Sequence, residues 1–277
     1  MTSRYRVSCA DCLAWLPAVE SGTVDLAVAD PPYNIGYEYD SYDDRRSPRD
    51  YLQWCRQWLE EIHRTVAETG SFWLYIGDEY VSELDVQAKE IGFYKRSHVV
   101  HYYTFGVACS KNFARSHTHL LYYTKSKTEF TFNAEDPAIR VPSARQLVYN
   151  DKRANPKGKL PDNTWVLSPV DLKKAFESAE DTWLVSRVCG TFQERVERGT
   201  YGEKRAIPQM PEKIAERIIR ACSNPGDRVM DPFLGTGTTG AVAVRLGRRF
   251  LGCEISRAYT ERALQRIEAA AKRGSGP

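Results

Sequence analysis

Ten residues near the carboxyl terminus read Asp231-Pro232-Phe233-Leu234-Gly235-Thr236-Gly237-Thr238-Thr239-Gly240. They follow a short strand-like segment, 228–230, and they open a helical pattern that runs through Leu246. Glycines at this spacing between a strand and a helix are typical of nucleotide-binding turns, although the spacing alone is a weak signal. The segment therefore predicts a ligand site at the carboxyl end of a strand in an α/β protein.

Two ligand classes remain open at this glycine turn, a dinucleotide and a nucleoside cofactor without phosphates. A carboxylate at the position of Asp231 repels a pyrophosphate but suits a cation, such as the ammonium group of S-adenosylmethionine. Glycine lets the backbone approach the methionine portion of such a ligand closely. Glu254 ends the next predicted strand and is placed to accept hydrogen bonds from ribose hydroxyls. The residues favour S-adenosylmethionine.

The rest of the chain alternates strand-like and helical segments, which predicts a doubly wound, mostly parallel sheet. Strand-like runs occupy 24–29, 72–76, 98–103, 120–123, 228–230 and 250–254. Helical patterns begin after Ser47, near Tyr80, at Glu212, within the glycine turn and after Ser256, and Gly70 is expected to end the first of them. Between residues 134 and 205 the periodicity is poor and proline, asparagine, lysine and arginine dominate. That segment predicts an irregular insertion.

A second strand end carries Asp30-Pro31-Pro32-Tyr33. The exocyclic amine of adenine or cytosine is a poor nucleophile, because its lone pair is delocalised into the ring. Asp30 and the carbonyl of Pro31 can accept hydrogen bonds from the two N–H groups and localise that lone pair. The prolines stiffen the turn, and Tyr33 offers a flat face to a base extruded from a duplex. An alternative is a rigid loop with an exposed aromatic side chain.

Composition excludes several classes of protein. The chain has 277 residues, a net charge of +3 and 42% hydrophobic residues. It lacks an apolar run of the ~20 residues needed to span a bilayer, and its first residues do not resemble a signal peptide. Seven cysteines, an odd number, do not suggest a disulfide framework, and the histidines lack a convincing metal-ligand spacing. We therefore expect a cytoplasmic protein without a metal site.

The two turns and their order resemble the beta class of DNA amino-methyltransferases, in which the catalytic turn precedes the glycine loop. The resemblance covers nearly the whole chain. It implies a circularly permuted S-adenosylmethionine-dependent methyltransferase fold, with S-adenosylmethionine as the cofactor. The implied catalytic residues are Asp30, Pro31, Pro32 and Tyr33. The implied cofactor-binding residues are Asp11, Asp231, Phe233, Gly235, Gly237, Thr238, Thr239 and Glu254. Asp11 resembles the acidic residue near the cofactor adenine, and 207–212 resembles the entry to the family's cofactor-side helix.

The resemblance also divides the chain into a catalytic half, 1–133, a target-recognition region, 134–205, and a cofactor-binding half, 206–277. The basic residues of the middle region become candidate DNA contacts, with arginine favoured for guanine edges. They are Arg140, Arg145, Lys152, Arg153, Lys157 and Lys159. The bland alternative is an irregular surface loop without a ligand. The implied partner is duplex DNA with a specific short site, and a homodimer and a cognate restriction endonuclease are further candidates.

The target base is open between adenine N6 and cytosine N4. Aspartate as the first residue of the turn resembles the adenine enzymes, so adenine is favoured. An NAD(P)-dependent oxidoreductase and a DNA-binding protein that has lost catalysis are more distant alternatives. No cysteine nucleophile is needed, because the methyl group can pass directly from sulfonium to nitrogen.

Overall fold

The computed structural model describes residues 4–102, 110–111, 113, 115–147, 149, 151–165 and 209–273. These residues form one eight-stranded sheet with helices on both faces. Its strands are β1 (Tyr5–Cys9), β2 (Val24–Ala29), β3 (Val66–Ile76), β4 (Tyr94–Tyr102), β5 (His117–Thr124), β6 (Thr164–Trp165), β7 (Arg228–Asp231) and β8 (Arg249–Glu254). The helices are α1 (Cys12–Trp15), α2 (Pro48–Thr65), α3 (Val81–Ile91), α4 (Ala144–Leu147), α5 (Glu212–Cys222), α6 (Thr238–Arg245) and α7 (Arg257–Arg273).

The strand order is β1-β8-β7-β2-β3-β5-β4-β6. Every pairing is parallel except those of β5, which runs antiparallel to both of its neighbours, β3 and β4. This arrangement confirms the predicted doubly wound, mostly parallel α/β fold. It also interleaves the two ends of the chain, because β2 pairs with β7 and β1 pairs with β8.

The pairing of β2 with β7 positions the two predicted turns. Leu26 lies opposite Val229, and Ala27 lies opposite Met230. Since the strands are parallel, both end at the same edge of the sheet, where Asp30 follows one strand and Asp231 closes the other. Proline follows each aspartate and cannot donate to a ladder, which helps to end the strands there.

Alternating residues of the strands build a core on each face of the sheet. Leu26 and Val28 face a core shared with α5, α6 and α7. Ala27 and Ala29 face a second core, which contains the buried side of α2. A helix layer covers each face, so the strand ends at the edge are the part of the sheet left open for a ligand.

Helix α2 begins as its sequence predicts and ends earlier. The Ser47 hydroxyl accepts a hydrogen bond from the Asp50 amide at 3.2 Å, and Pro48 occupies the first turn. The expected end at Gly70 is wrong, because the helix stops at Thr65 and Val66 already pairs with Val24 in the sheet. Pairing with β2 therefore takes the place of further helix from Val66 onwards.

Strand β1 was not evident from the sequence. Tyr5–Cys9 pairs with β8, and Cys9 lies opposite Glu254. The pairing joins residues near opposite ends of the chain, so the local sequence around residues 5–9 does not predict this strand. It brings the following residue pair, Ala10 and Asp11, to the same edge as the predicted cofactor loop.

Residues 166–208 lie outside the described part of the chain, and with them most of the predicted target-recognition region. The described part of that region contains α4, β6 and a backbone bridge between Val141 and Lys159. The proposed division of the chain at residues 134 and 205 stays a prediction. Among the described residues, no helix has the length and apolar character that crossing a membrane requires.

Candidate active site

A cavity of about 300 Å³ opens at the edge of the sheet where β2, β3, β7 and β8 end. Both predicted turns contribute to its wall, so the structure brings the two sequence motifs together in one space. The predicted site residues in the lining are Asp11, Asp30, Pro31, Pro32, Tyr33, Asp231, Phe233, Gly235, Thr238, Thr239 and Glu254.

The turn that follows β2 is braced by two tyrosines. The Tyr33 hydroxyl donates a hydrogen bond to Oδ1 of Asp30 at 2.9 Å. The Tyr51 hydroxyl, from α2, donates to the carbonyl of Pro32 at 2.8 Å. The ring of Tyr33 lies against Gly77, where an added Cβ would come within 3.0 Å of a ring carbon. Position 77 must therefore be glycine, or nearly so in size, for the Tyr33 ring to lie where it does.

The carboxyl group of Asp30 sits in an environment that disfavours its charge. Burial raises its pKa to about 8, against a partial opposing effect from the Tyr33 hydrogen bond. The neighbouring carboxyl of Asp231 raises the pKa further. The group is therefore poised to accept hydrogen bonds or a proton near neutral pH.

The glycine loop is held by two carboxylates. Asp231 accepts a hydrogen bond from the amide of Phe233 at 2.9 Å. Glu254 accepts from the amides of Gly235 at 2.8 Å and Ser256 at 2.9 Å. Burial raises the pKa of Asp231 to about 7 and also raises that of Glu254. The loop is thus shaped around acidic groups that lack a nearby cation of their own among these contacts.

These carboxyl groups give the cavity the character of a cation site. Besides burial, neighbouring charges raise two of these pKa values. The Glu254 carboxylate raises the pKa of Asp231, and the Asp231 carboxylate raises the pKa of Asp30. A ligand that carries positive charge would relieve this repulsion, whereas a pyrophosphate would add to it. This set of acidic groups fits S-adenosylmethionine, which carries a sulfonium and an ammonium group.

Asp11 and Phe233 line the cavity and each also has a structural role, while their cofactor contacts stay predictions. Asp11 Oδ1 accepts a hydrogen bond from the Leu13 amide at 2.8 Å and so caps α1. The ring of Phe233 meets the edges of Trp54 and Trp58, with ring centroids 5.7 Å and 5.3 Å away. Both residues still face the cavity.

Gly237 is not among the described residues that line the cavity. It begins α6 with φ +83°, and an added Cβ would lie 2.9 Å from Ala263 of α7. Gly240 is similarly enclosed, since a Cβ there would lie 2.6 Å from Ile267. These two glycines allow the close packing of α6 against its neighbours, and a cofactor contact of Gly237 stays a prediction.

The loop 34–46 forms a wall of the cavity. Asp44 is only 1% exposed and accepts hydrogen bonds from the amides of Asn34, Ile35 and Tyr37 at 2.8–3.1 Å. The Ser256 hydroxyl donates to Asp40 at 2.6 Å and ties the loop to the cofactor side. The loop is thus organised around a buried carboxylate, a feature that no periodic pattern reveals.

A charged network that the sequence did not indicate supports the cofactor loop. Arg266 of α7 donates to the Thr238 hydroxyl at 2.9 Å and to Glu212 at 2.6 Å. Glu212 also accepts from Arg245 at 2.6 Å. Burial opposes ionisation of Glu212, but the two arginines outweigh it and lower the pKa of that carboxyl. The network joins the start of α5, beside the cavity-lining Met210, to the glycine loop.

The six predicted DNA contacts lie away from the cavity, since none is among the described residues that line it. Arg140 is largely enclosed, with a side chain 10% exposed, and donates to the carbonyls of Ala134 and Gly158. Three others form exposed ion pairs with neighbouring carboxylates: Arg153 with Asp151, Lys157 with Glu135, and Lys159 with Asp162. Arg145 and Lys152 are exposed. The geometry gives Arg140 a structural role, and all six DNA contacts stay predictions.

The fold is that of a methyltransferase, and its cavity places an acidic glycine loop beside the turn of residues 30–33. The model of the DNA methylase family that acts on N6 and N4 amines matches residues 24–265, and the chain belongs to this family. Membership confirms the predicted enzyme class, with S-adenosylmethionine as the methyl donor. In the described residues no group of histidine, cysteine and carboxylate side chains is arranged to hold a metal ion.

Curated relatives match almost the full length of the chain. Type II methyltransferase M.HpaI of Haemophilus parainfluenzae is 31% identical over 95% of this chain and 74% of its own length. DNA adenine methyltransferase YhdJ of Escherichia coli K12 is 31% identical over 94% of this chain and 81% of its own length. Among solved structures, the cytosine-N4-specific PvuII DNA methyltransferase superposes with a TM-score of 0.60 at 16% identity, covering 99% of this chain and 93% of that one. This last similarity shows the fold alone.

Proposed function

We propose that this enzyme methylates N6 of adenine at a specific short site in duplex DNA, after the target base has been flipped into the cavity. The observation that carries the proposal is the common cavity, in which Asp30 and Tyr33 face the acidic glycine loop of Asp231. Flipping costs a few kcal/mol. Stacking of the base on the ring of Tyr33, worth about 1–3 kcal/mol, and hydrogen bonds at Asp30 and Pro31 would offset that cost.

Asp30 and Pro31 prepare the amine for attack. The Asp30 carboxylate accepts a hydrogen bond from one N–H and the Pro31 carbonyl accepts one from the other, which turns the nitrogen lone pair away from the ring. The Tyr33 hydroxyl fixes the Asp30 carboxylate by donating to Oδ1 at 2.9 Å. The bound donor supplies an electrophilic methyl group on a sulfonium centre. A turn that is held this firmly keeps the nitrogen on the line of attack, where ~1 Å of displacement can cost on the order of 100-fold in rate.

The amine must lose a proton when its nitrogen gains the methyl group. Asp30 is the side chain placed to receive it, because burial raises the pKa of this carboxyl to about 8. Burial is the main cause of this rise, and a cationic ligand beside Asp231 would offset the smaller part that comes from the Asp231 charge, which shifts Asp30 towards its carboxylate form. Acid–base groups work best when their pKa lies near the working pH.

Adenine is favoured over cytosine as the target. The aspartate at position 30 and the similarity to an enzyme named as a DNA adenine methyltransferase support this choice. The fold itself does not separate the two bases, since it is shared with a cytosine-N4 enzyme. Recovery of N4-methylcytosine instead of N6-methyladenine would reject the adenine proposal and leave the reaction class intact.

The proposed partners follow from the substrate. The exposed cations Arg145 and Lys152 are the best placed of the six candidate DNA contacts, because neither forms a described ion pair, while the charge of Asp151 acts on Arg145 without one. We further propose a cytoplasmic enzyme, with a homodimer and a cognate restriction endonuclease as candidate assemblies. Separate measurements of mass in solution and of endonuclease activity in the source cells test the last two.

The proposal is tested by methyl transfer to DNA in vitro. The purified protein is incubated with trideuteromethyl-labelled S-adenosylmethionine and mixed-sequence duplex DNA, and the DNA is digested to nucleosides for mass spectrometry. The expected product is N6-methyladenine carrying the label, and sequencing of the methylated DNA gives the recognised site. The matched control is Asp30→Asn, which keeps the side-chain size and removes the charge. Absence of label in every base with the wild-type protein would overturn the proposal in favour of a catalytically silent DNA-binding protein.

A further inference from the structure

The cavity continues past the catalytic turn onto a polar wall formed by β3, β4 and β5. Tyr75, His101 and Thr118 line this part of it. Within the sheet Ala29 lies opposite Leu74, so the next positions along the two parallel strands are Asp30 and Tyr75. Both positions alternate onto the sheet face occupied by Val28 and Trp73. Tyr75 therefore stands beside the catalytic aspartate, one strand further along the sheet.

The electrostatics agree with this placement. Burial raises the pKa of Tyr33 well above its ordinary value, and Asp30 and Tyr75 raise it further. Tyr75 is thus near enough to Tyr33 to act on its ionisation. A base stacked on Tyr33 with its amine at Asp30 lies within reach of this wall.

Tyr75 is paired with a buried histidine. Its hydroxyl lies 2.8 Å from Nδ1 of His101, which is 1% exposed. His101 lies on β4, opposite Thr118 of β5 on one side and Trp165 of the edge strand β6 on the other. When Nδ1 of His101 carries the proton, it donates to the Tyr75 oxygen and so orients the Tyr75 hydroxyl at the cavity wall.

The flipped adenine offers acceptors to such a donor. Its ring nitrogens N1, N3 and N7 accept hydrogen bonds, and a buried acceptor that loses its partner carries a penalty. We propose that the Tyr75 hydroxyl donates a hydrogen bond to a ring nitrogen of the flipped adenine, with His101 as the residue that positions it. The inference rests on the proposed adenine substrate, and it names the residue that would recognise the ring of that base.

The test replaces atoms on both sides of the proposed bond. Wild type and Tyr75→Phe are compared on the recognised duplex and on duplexes whose target adenine is 1-deaza-, 3-deaza- or 7-deazaadenine, with kcat/KM as the readout. On natural DNA we expect Tyr75→Phe to lower kcat/KM about tenfold. On the one analogue that lacks the contacted nitrogen, wild type and variant should have equal kcat/KM.

His101 variants separate positioning from folding. His101→Leu should reproduce the loss and the analogue pattern of Tyr75→Phe, whereas His101→Asn, whose amide stands near the place of Nδ1, should recover part of the activity. Tyr122→Phe is the matched control, because it removes a buried hydroxyl from the same sheet face, near Ser71, at a position outside the described cavity lining. Unchanged S-adenosylmethionine affinity in each variant shows that the fold is intact.

The outcomes distinguish this inference from the function on which it rests. A Tyr75→Phe penalty of the same size on all four duplexes, or no penalty on natural DNA, overturns the inference while wild-type transfer to adenine upholds the function. Transfer to cytosine N4 alone removes the adenine substrate and this inference with it. Loss of activity in Tyr122→Phe equal to that in Tyr75→Phe would also overturn it, because the effect would then belong to the sheet face in general.

Discussion

Asp30 and Asp231 stand at the ends of neighbouring strands and face one cavity, yet the protein holds them differently. Asp231 is 3% exposed and is bonded within its own loop, by the Phe233 amide and the Thr239 side chain. Asp30 receives its hydrogen bond from Tyr33, a residue that itself lines the cavity. One carboxyl group thus shapes the glycine loop, whereas the other is held by a side chain of the cavity wall, as its proposed contact with the amine requires.

The largest expected effect is on turnover at Asp30. Asp30→Asn should lower kcat by about three orders of magnitude, because a neutral amide cannot accept from the amine as strongly or take its proton. The affinity for S-adenosylmethionine should change less than about threefold. Single-turnover kinetics and isothermal titration measure the two quantities. Parallel loss of turnover and cofactor affinity would contradict the distinction between the two aspartates.

Asp231→Asn should show the opposite pattern. Loss of a charge-assisted interaction with a cationic cofactor is expected to weaken S-adenosylmethionine binding about tenfold to a hundredfold. At saturating cofactor, kcat should fall far less than it does in Asp30→Asn. If titration finds unchanged affinity in Asp231→Asn, the acidic loop is not a cation site.

Cofactor affinity should also depend on pH. Burial raises the pKa of Asp231 to about 7 in the free protein, so the group is increasingly neutral below that pH and must lose a proton to attract a cation. We expect affinity to fall by up to about tenfold per pH unit between pH 7 and 5.5. Titrations over that range should give a flatter profile for Asp231→Asn; an equally steep profile in the variant would assign the dependence to another group.

The buried carboxylate of the loop 34–46 offers a matched pair of variants. Asp44→Ala removes the acceptor of three backbone amides, whereas Asp43→Ala removes an exposed carboxylate from the adjacent position. Asp44→Ala should lower kcat/KM for DNA about tenfold and speed proteolysis within the loop, because unsatisfied buried amides loosen it. Asp43→Ala should resemble wild type in both assays. Equal behaviour of the two variants would show that Asp44 does not organise the loop.

The smallest expected effect is on stability, and it has the opposite sign to the effect on turnover. Burial raises the folded-state pKa of Asp30 from 3.8 to about 8, so its ionisation in the folded protein costs stability as pH rises through that interval. Asp30→Asn lacks this cost. Without cofactor, the variant should melt about 3 °C or more above wild type at pH 9 and near wild type at pH 4. A lower melting temperature at pH 9 would contradict the raised pKa.

Sequence predicted the two strand ends and their shared cavity, because Asp30 and Asp231 each follow a recognisable strand and parallel strands end at one edge. It missed β1, whose partner among the described strands, β8, lies near the other end of the chain. It also grouped Gly237 with Gly235, although one packs against Ala263 and the other faces the cavity. Glycine spacing specifies a tight turn but not which glycine lines the cavity.

Local sequence patterns also did not predict the polar wall of the cavity or the structural role of Arg140. Tyr75 and His101 lie on strands separated by β5, so only the sheet order brings their side chains together. Arg140 belongs to a basic segment that favours DNA, yet its guanidinium is bonded to carbonyls of Ala134 and Gly158. The sequence gives the charge of each side chain but does not show which group that side chain will bind.

The most direct test of the shared cavity is a crystal structure of the enzyme with a non-reactive S-adenosylmethionine analogue and its recognised duplex. We expect the target adenine outside the helix, stacked on Tyr33, with its amine in hydrogen-bond contact with Asp30 and about 3–3.5 Å from the atom that replaces the donor methyl. A target base that stays stacked in the duplex while the analogue occupies the loop of Asp231, or an analogue bound away from that loop, would contradict the account.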